Sequence, residues 1–153
     1  MAASALILYS KNKDRISQND LVGAVVQLAL VTSVYTPDAT FTGNSLWADV
    51  SANEISGASN GYTTGGGALA SKVSTGITGG FKFSSAAFQW TAAGTGIPAH
   101  RYVVMYVLGT LWGRVNPLIG YYLGDATPAD IPLTTVGNTL TETPSASGWF
   151  DQT

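Results

Sequence analysis

The sequence predicts an all-β protein, either an antiparallel β-sandwich or a jelly roll, with one short helix. Three observations indicate this fold class. Short runs of apolar and β-branched residues recur along the 153-residue chain, and several of them alternate with polar residues. Clusters of Gly, Asn, Asp and Pro separate the runs and predict turns. The length suits one domain with a single core.

The first long strand is predicted within residues 21–34, whose sequence is LVGAVVQLALVTSV. Val26, Leu28 and Leu30 fall on one side of an extended chain, and further apolar residues fall on the other side. A nearly continuous apolar run of this length indicates a strand that is covered on both faces.

One short helix is predicted in residues 44–50, where Asn44 or Ser45 can act as the N-cap and Asp49 lies early in the helix. The glycine-rich stretch that follows, residues 57–67, predicts a loop. It lacks the Lys-Ser/Thr pair of a phosphate-binding loop. We therefore interpret it as a bend or a close approach of backbones.

The second half of the chain has the clearest period-two patterns. Phe81 and Phe83 alternate with polar residues, and Phe88 and Trp90 resume the alternation after a predicted bulge at residues 86–87. Further strands are predicted within residues 69–78, 80–90, 101–111 and 118–123, with one or two edge strands in the Thr-rich tail after residue 131.

Charged residues make up only 10% of the chain, with a formal net charge of −2, one histidine and no cysteine. An ordinary soluble domain has about 25% charged residues. The chain has no basic field to attract phosphates, so we expect no nucleic-acid partner. Its most apolar run, residues 102–112, is shorter than the ~20 residues of a membrane-spanning helix, so we expect no membrane partner.

No combination of residues indicates catalysis. His100 would have to be the base of any hydrolase triad, and its position at the start of a strand favours a structural role. One histidine without cysteine argues against a metal site with nitrogen or sulfur ligands. We therefore expect a protein that is not an enzyme and has no catalytic residue, metal or cofactor. No spacing selects a catalytic pair among the carboxylates Asp38, Asp49, Glu54, Asp125, Asp130 and Glu142.

The chain divides into an N-terminal arm, residues 1–20, and a β-sandwich domain, residues 21–153. The arm has the densest charge of the chain, which indicates a solvated segment or a flexible arm that reaches a neighbouring subunit. Its charged side chains are Lys11, Lys13, Asp14, Arg15 and Asp20.

Several aromatic side chains are candidates for contacts between subunits. Trp112 and Trp149 lie at a strand end and near the C-terminus, where full burial within one chain is difficult. The adjacent Tyr121 and Tyr122 must point to opposite faces of a sheet, so one ring lies on a face that a neighbour can cover. The simpler interpretation, a well-filled core, stays open. The candidate interface residues are Lys11, Lys13, Arg15, Trp47, Trp112, Arg114, Tyr121 and Trp149.

Four stretches of the chain resemble a known class of proteins. They are LVGAVVQLALVTSVYTPD, LWADVSANEISGASNGYTTGG, FKFSSAAFQWTAAGTGIPAHRYVVMYV and PLIGYYLG, which together span roughly residues 21–124. Their order is similar to that of small structural proteins in the particles of tailed bacteriophages. The chain departs from the class pattern at residues 98–101, where it shares only Arg101 of a "TAR"-like motif.

The resemblance implies a β-sandwich, often assembled as a homotrimer, with a structural role and no enzymatic activity. The leading interpretation is a capsid decoration (cement) protein on the outer surface of the phage head. Its partners would be the major capsid protein, whose subunits it bridges, and further copies of itself. The low charge agrees with this role because interfaces are depleted of charged residues.

Two other interpretations stay open. A tail-fibre or spike module would bind a cell-surface glycan, and Trp112 with Arg114 and Asn116 is the best local cluster for that purpose. A free-standing intracellular binding module would be a stable monomer.

Overall fold

The computed structural model describes residues 4–153 and confirms the predicted all-β fold class. Within these residues, two one-turn helices accompany the strands: α1 (Ser10–Lys13) and α2 (Asp20–Gly23). The strands are β1 (Ile7–Leu8), β2 (Val25–Val31), β3 (Gly67–Ala68), β4 (Val73–Ile77), β5 (Gly80–Ser84), β6 (Phe88–Thr91), β7 (Tyr102–Leu108), β8 (Thr110–Leu111), β9 (Arg114–Val115), β10 (Leu118–Leu123), β11 (Thr139–Glu142) and β12 (Phe150–Gln152).

The largest sheet has five antiparallel strands in the order β1-β10-β7-β2-β3. Its centre is the pair of β2 and β7, which is aligned from Val25 opposite Leu108 to Val31 opposite Tyr102. Three smaller antiparallel units have the orders β12-β5-β4, β11-β6 and β8-β9. The chain therefore builds one large sheet and several small ones.

The main core joins the five-stranded sheet to the smaller sheets. Val26, Leu28 and Leu30 of β2 belong to the same buried cluster as Phe83 of β5 and Phe150 of β12. The alternate residues of β2 thus face one layer, as the sequence pattern predicts. The result is a sandwich-like arrangement.

The opposite face of the five-stranded sheet carries a second buried cluster. Ala29 and Val31 of β2 lie there with Tyr9 and Trp47. Trp47 stacks on Tyr106 of β7, with ring centroids 4.5 Å apart and ring planes 4° apart. The prediction that the first long strand is covered on both faces is confirmed. The second cover comes from loops and the N-terminal segment rather than from a sheet.

The short helix predicted in residues 44–50 is a 3₁₀ helix, Trp47–Asp49, whose N-cap is Leu46 rather than Asn44 or Ser45. A second 3₁₀ helix, Ser51–Asn53, follows it. Trp47 and Val50 are both buried in the second core. A 3₁₀ turn has three residues per turn, so it brings two side chains that are three positions apart to the same side. Both side chains can therefore pack against the sheet from this turn.

The predicted strand at residues 80–90 is interrupted rather than bulged. β5 ends at Ser84 and pairs with β4 and β12, whereas β6 begins at Phe88 and pairs with β11. Residues 85–87 carry the chain from one small sheet to the next. The irregularity lies where the sequence predicts it, but it separates two sheets instead of bending one strand.

The charged N-terminal segment packs on the sheet instead of projecting as an arm. β1 pairs with β10, and the N–H of Tyr9 donates to the carbonyl oxygen of Ile119 at 3.0 Å. Tyr9 and Ile16 are both buried. This packing covers an edge of β10 that would otherwise present unpaired backbone groups to solvent. Residues 1–3 of the predicted arm lie outside the described residues.

Asn12 is the polar residue that fastens this segment to the domain. It is fully buried, and its Nδ2 donates to the carbonyl oxygens of Ser45 at 2.7 Å and Leu118 at 2.8 Å. Both acceptors belong to buried residues, so the amide places its two hydrogen bonds in the interior of the protein. The Ser45 carbonyl also accepts the backbone N–H of Leu118 at 2.9 Å.

We predict that Asn12→Ala lowers the free energy of unfolding by about 2–4 kcal/mol, because it removes two buried hydrogen bonds and the buried amide that makes them. The Ser45 carbonyl keeps the N–H of Leu118 as a donor. Urea unfolding followed by tryptophan fluorescence measures this change. The matched control is Asn19→Ala, since Asn19 is exposed and its side chain makes no cap hydrogen bond. The control should stay within about 0.5 kcal/mol of the wild type. Equal losses in the two variants would contradict the assigned role of Asn12.

Candidate functional site

The candidate interface residues are distributed over several parts of the fold. Trp47 is a core residue, since only 9% of it is exposed and its ring stacks on Tyr106. Lys11 is half-buried on α1, while Lys13 and Arg15 are exposed. The three basic residues belong to the segment that covers the edge of β10, and Trp47 belongs to the second core.

Trp112 and Arg114 belong to the hairpin of β8 and β9, and both are half-buried. The indole Nε1 of Trp112 donates to Asp20 Oδ2 at 2.8 Å. Asn116 Oδ1 accepts the backbone N–H of Gly109 at 2.8 Å. Trp112 Nε1 and Asn116 Oδ1, two polar atoms that a glycan would use at this cluster, therefore already have hydrogen-bond partners in the same chain.

The two adjacent tyrosines of β10 occupy opposite faces of the sheet, as predicted. Tyr121 is half-buried on the second core, with its ring centroid 5.5 Å from that of Tyr9 and 6.0 Å from that of Tyr102. Tyr122 is buried in the main core. It also reaches a cavity that involves Trp149.

This cavity is a groove of about 340 Å³ between the N-terminal strand and the C-terminal turn. Leu6 and Leu8 line it from the N-terminal segment. Tyr122 lines it from β10, Glu142 from β11, and Trp149 from the turn before β12. We call this cavity the terminal groove.

Two glycines allow the backbones around the terminal groove to approach closely. Gly120 lies opposite Leu8, and a Cβ on it would come within 2.8 Å of the carbonyl oxygen of Ile7. Gly148 has a φ of 83°, and a Cβ on it would collide with the carbonyl oxygen of Phe83. The missing side chains therefore let β1 lie close to β10 and let the C-terminal turn lie close to β5.

The polar centre of the groove is Glu142. The hydroxyl of Tyr122 donates to Glu142 Oε2 at 2.6 Å. Trp149 stacks beside Tyr122, with ring centroids 6.2 Å apart and planes 27° apart. The Trp149 indole is itself held by a 2.8 Å hydrogen bond from Nε1 to Ser85 Oγ. The carboxylate thus accepts a hydrogen bond from Tyr122, and the Trp149 ring, itself held by Ser85, stacks beside that tyrosine.

Burial governs the electrostatics of this pair. It raises the pKa of the Glu142 carboxyl, and the hydrogen bond from Tyr122 acts in the opposite direction by stabilising the ionised form. Burial also raises the pKa of the Tyr122 hydroxyl. Repulsion between Glu142 and the ionised form of Tyr122 is a second, smaller cause that acts in the same direction. Tyr122 therefore stays protonated and donates its hydroxyl proton to Glu142.

Of the groove residues, the sequence selects only Trp149 as a candidate. Tyr122 is visible as one of two adjacent tyrosines, and Glu142 is one of several carboxylates without a distinguishing spacing. These residues lie on three separate elements that pair with different neighbours. The sequence signal that could have found Glu142 is the alternation of β11. Glu142 lies two residues from the half-buried Leu140, so both side chains point to the same face of the strand.

His100 is buried, with 1% of its surface exposed. Neither ring nitrogen has a hydrogen-bond partner at good geometry among the described residues. Burial lowers the pKa of His100 to about 4, and the Pro98 backbone and the charge of Asp130 offset only part of this effect. A neutral, enclosed imidazole without an orienting carboxylate does not have the arrangement of a triad base.

Within residues 4–153, no group of three or more His, Asp or Glu side chains is placed to hold a metal ion. In the same part of the chain, no helix is long and apolar enough to cross a membrane. No protein-family model, curated protein or solved structure matches the chain.

We predict that His100 makes the folded state sensitive to mild acid. Its pKa is about 4 when folded and 6.5 as a free side chain, so unfolding takes up a proton between these values. Stability should fall by roughly 3 kcal/mol as the pH drops from 6.5 to 4. Urea unfolding at pH 7, 5.5 and 4.5 measures this loss.

The comparison variant is His100→Leu, which has a similar volume and cannot titrate. Its stability should change less than that of the wild type over the same pH range. The carboxyls of Asp20, Asp38 and Asp125, whose pKa values are lowered, contribute mainly below about pH 4. Parallel pH profiles of the two proteins would show that His100 is not the source.

Proposed function

We propose that the protein is a structural component of a bacteriophage particle, a decoration or cement protein on the outer surface of the head. It attaches to the major capsid protein and bridges its subunits. The resemblance of residues 21–124 to small virion proteins supports this role. The observation that carries the proposal is an exposed apolar patch on a chain in which only 10% of residues are charged.

The patch lies at one end of the five-stranded sheet. Val25 and Leu108 are directly opposite each other in the β2–β7 register, and they are 46% and 47% exposed. Val115, on the hairpin that follows β7, is 63% exposed. Single exposed apolar residues are common, but two that pair across adjacent strands form a continuous surface. We call Val25 and Leu108 the apolar end patch.

A cement protein acts through buried surface rather than covalent chemistry. Stable protein contacts exclude charged residues from their centre and bury apolar side chains. Many copies on a regular lattice turn modest individual contacts into firm attachment through effective concentration. A fold with few charges and an apolar end patch has the properties that this mechanism requires.

The alternative, a tail module that binds a glycan, has less support. In its best local cluster, the Trp112 indole N–H and the Asn116 side-chain oxygen are already hydrogen-bonded to other residues of the chain. Copy number separates the two proposals. Hundreds of copies per particle, measured by gel densitometry, support a cement protein, whereas a few tens support a tail module.

We predict that Val25→Ser combined with Leu108→Ser weakens attachment to capsids that lack the protein by at least tenfold. Sedimentation of capsids with added protein measures occupancy. The matched control is Val34→Ser combined with Val136→Ser, which changes two exposed valines that are 78% and 58% exposed outside the patch. Full occupancy by the patch variant, or no attachment of the wild type, would contradict the proposal.

We predict that the free protein is a homotrimer, as the resemblance implies. Light scattering should give three times the mass of the chain. Light scattering of the free protein does not depend on capsid binding, so it tests the trimer separately from the attachment experiment. A stable monomer at high concentration would overturn the trimer and leave only the capsid lattice to cover the apolar end patch.

A further inference from the structure

The terminal groove has an unusual charge pattern for this chain. Its charged lining residues are Glu142 and Asp151, both acidic, and no basic side chain among the described residues lines it. The ion pair found in the described residues joins Arg101 to Asp130, so Glu142 has no cationic partner there. The groove therefore presents acidic side chains to which a cationic group can bind.

The remaining lining suits a long side chain with an apolar stem. Leu6 and Leu8 provide aliphatic surface, and Tyr122 and Trp149 provide aromatic surface next to the carboxylate. The volume of about 340 Å³ lies at the lower end of the range of about 300–1,000 Å³ for ligand sites. A single extended side chain is a better match than a large ligand.

An arginine side chain fits this combination better than a lysine or a sugar. The planar guanidinium binds a carboxylate through two parallel N–H groups, stacks on aromatic rings and is more weakly hydrated than an ammonium. Its aliphatic stem packs on apolar walls while the head reaches the charge. A sugar would satisfy hydrogen bonds but would leave the charge of Glu142 without a counter-ion.

The cost of removing Glu142 from water also favours the binding of a cation. Withdrawing a carboxylate from water costs free energy unless an opposite charge and hydrogen bonds compensate. Tyr122 supplies one hydrogen bond to Glu142 Oε2. A cation that enters the groove would supply the missing charge.

We propose that the terminal groove receives an arginine side chain presented by a neighbouring protein in the particle. Glu142 binds the guanidinium, and Tyr122 and Trp149 pack against its plane and stem. This inference deepens the proposed function and rests on it for the source of the arginine, because it names the chemistry of one contact with the partner. The arginine-binding property itself belongs to the groove and can be tested on the isolated protein.

The first experiment titrates the protein with Nα-acetyl-L-arginine methylamide and follows the indole N–H signals by NMR. The chain has four tryptophans, so the three outside the groove serve as internal references. Trp149→Phe assigns the fourth signal. We expect a saturable shift of the Trp149 signal with a millimolar dissociation constant. The neutral citrulline analogue should bind at least tenfold more weakly.

The decisive variant is Glu142→Gln, which keeps an acceptor for Tyr122 and removes the charge. It should raise the dissociation constant for the arginine compound at least tenfold. The matched control is Asp14→Asn, because Asp14 is exposed and does not line the groove. If Glu142→Gln alters the fold, the reference indole signals move as well. In that case Tyr122→Phe, which retains the carboxylate and the ring, should still bind the arginine compound.

Three results would overturn the inference: no shift at Trp149, equal binding of the citrulline analogue, or unchanged binding by Glu142→Gln. A Trp149 shift caused by methyl glycosides and insensitive to Glu142→Gln would assign the groove to sugars instead. Attachment to capsids separates this inference from the proposed function. If the wild type attaches but no arginine compound binds, only the inference fails. If the arginine compound binds but no capsid attachment occurs, the cement function fails.

Discussion

The fold depends on the need to cover both faces of β2 and β7. Five consecutive residues of β7, 103–107, are almost completely buried, which is possible only if both faces of the sheet are packed. The small sheets cover one face through Phe83 and Phe150. Loops and the N-terminal segment cover the other through Tyr9 and Trp47. The packing of the segment that begins at residue 4 and of the turn before β12, and therefore the position of the terminal groove, follow from this requirement.

Loops that replace a second sheet must satisfy their polar groups by other means. Tyrosine hydroxyls serve this purpose in a chain with seven tyrosines and few charges. Tyr9 and Tyr35 share a 2.8 Å hydrogen bond between their hydroxyls, and Tyr35 donates to Asn44 Oδ1 at 2.8 Å. Burial raises the pKa of Tyr9 well above its ordinary value and that of Tyr35 to about 12, so both hydroxyls stay protonated. The connection between Tyr9, Tyr35 and Asn44 is thus made by neutral groups.

The sequence predicts those parts of the fold whose signals are local. The strand at residues 118–123 matches β10, because turn residues bracket an apolar run. The short helix predicted at 44–50 is a 3₁₀ helix, and Asp49 caps its start by accepting the backbone N–H groups of Ser45 and Leu46. The groove could not be predicted as a site, since Tyr122, Glu142 and Trp149 meet only through strand pairing and a turn. A period-two pattern gives the face of each residue but not its partner across layers.

Because the chain has few charged residues, the partners of its ionic side chains can be compared one by one. Glu54 is used internally, since its Oε1 accepts two hydrogen bonds of 2.6 Å. Arg101 and Asp130 pair with each other at 2.8 Å. Glu142 has one hydrogen bond among the described residues and no cation, although burial raises its pKa. A carboxylate kept in a groove at a cost in desolvation is therefore best explained by a charge that comes from another molecule.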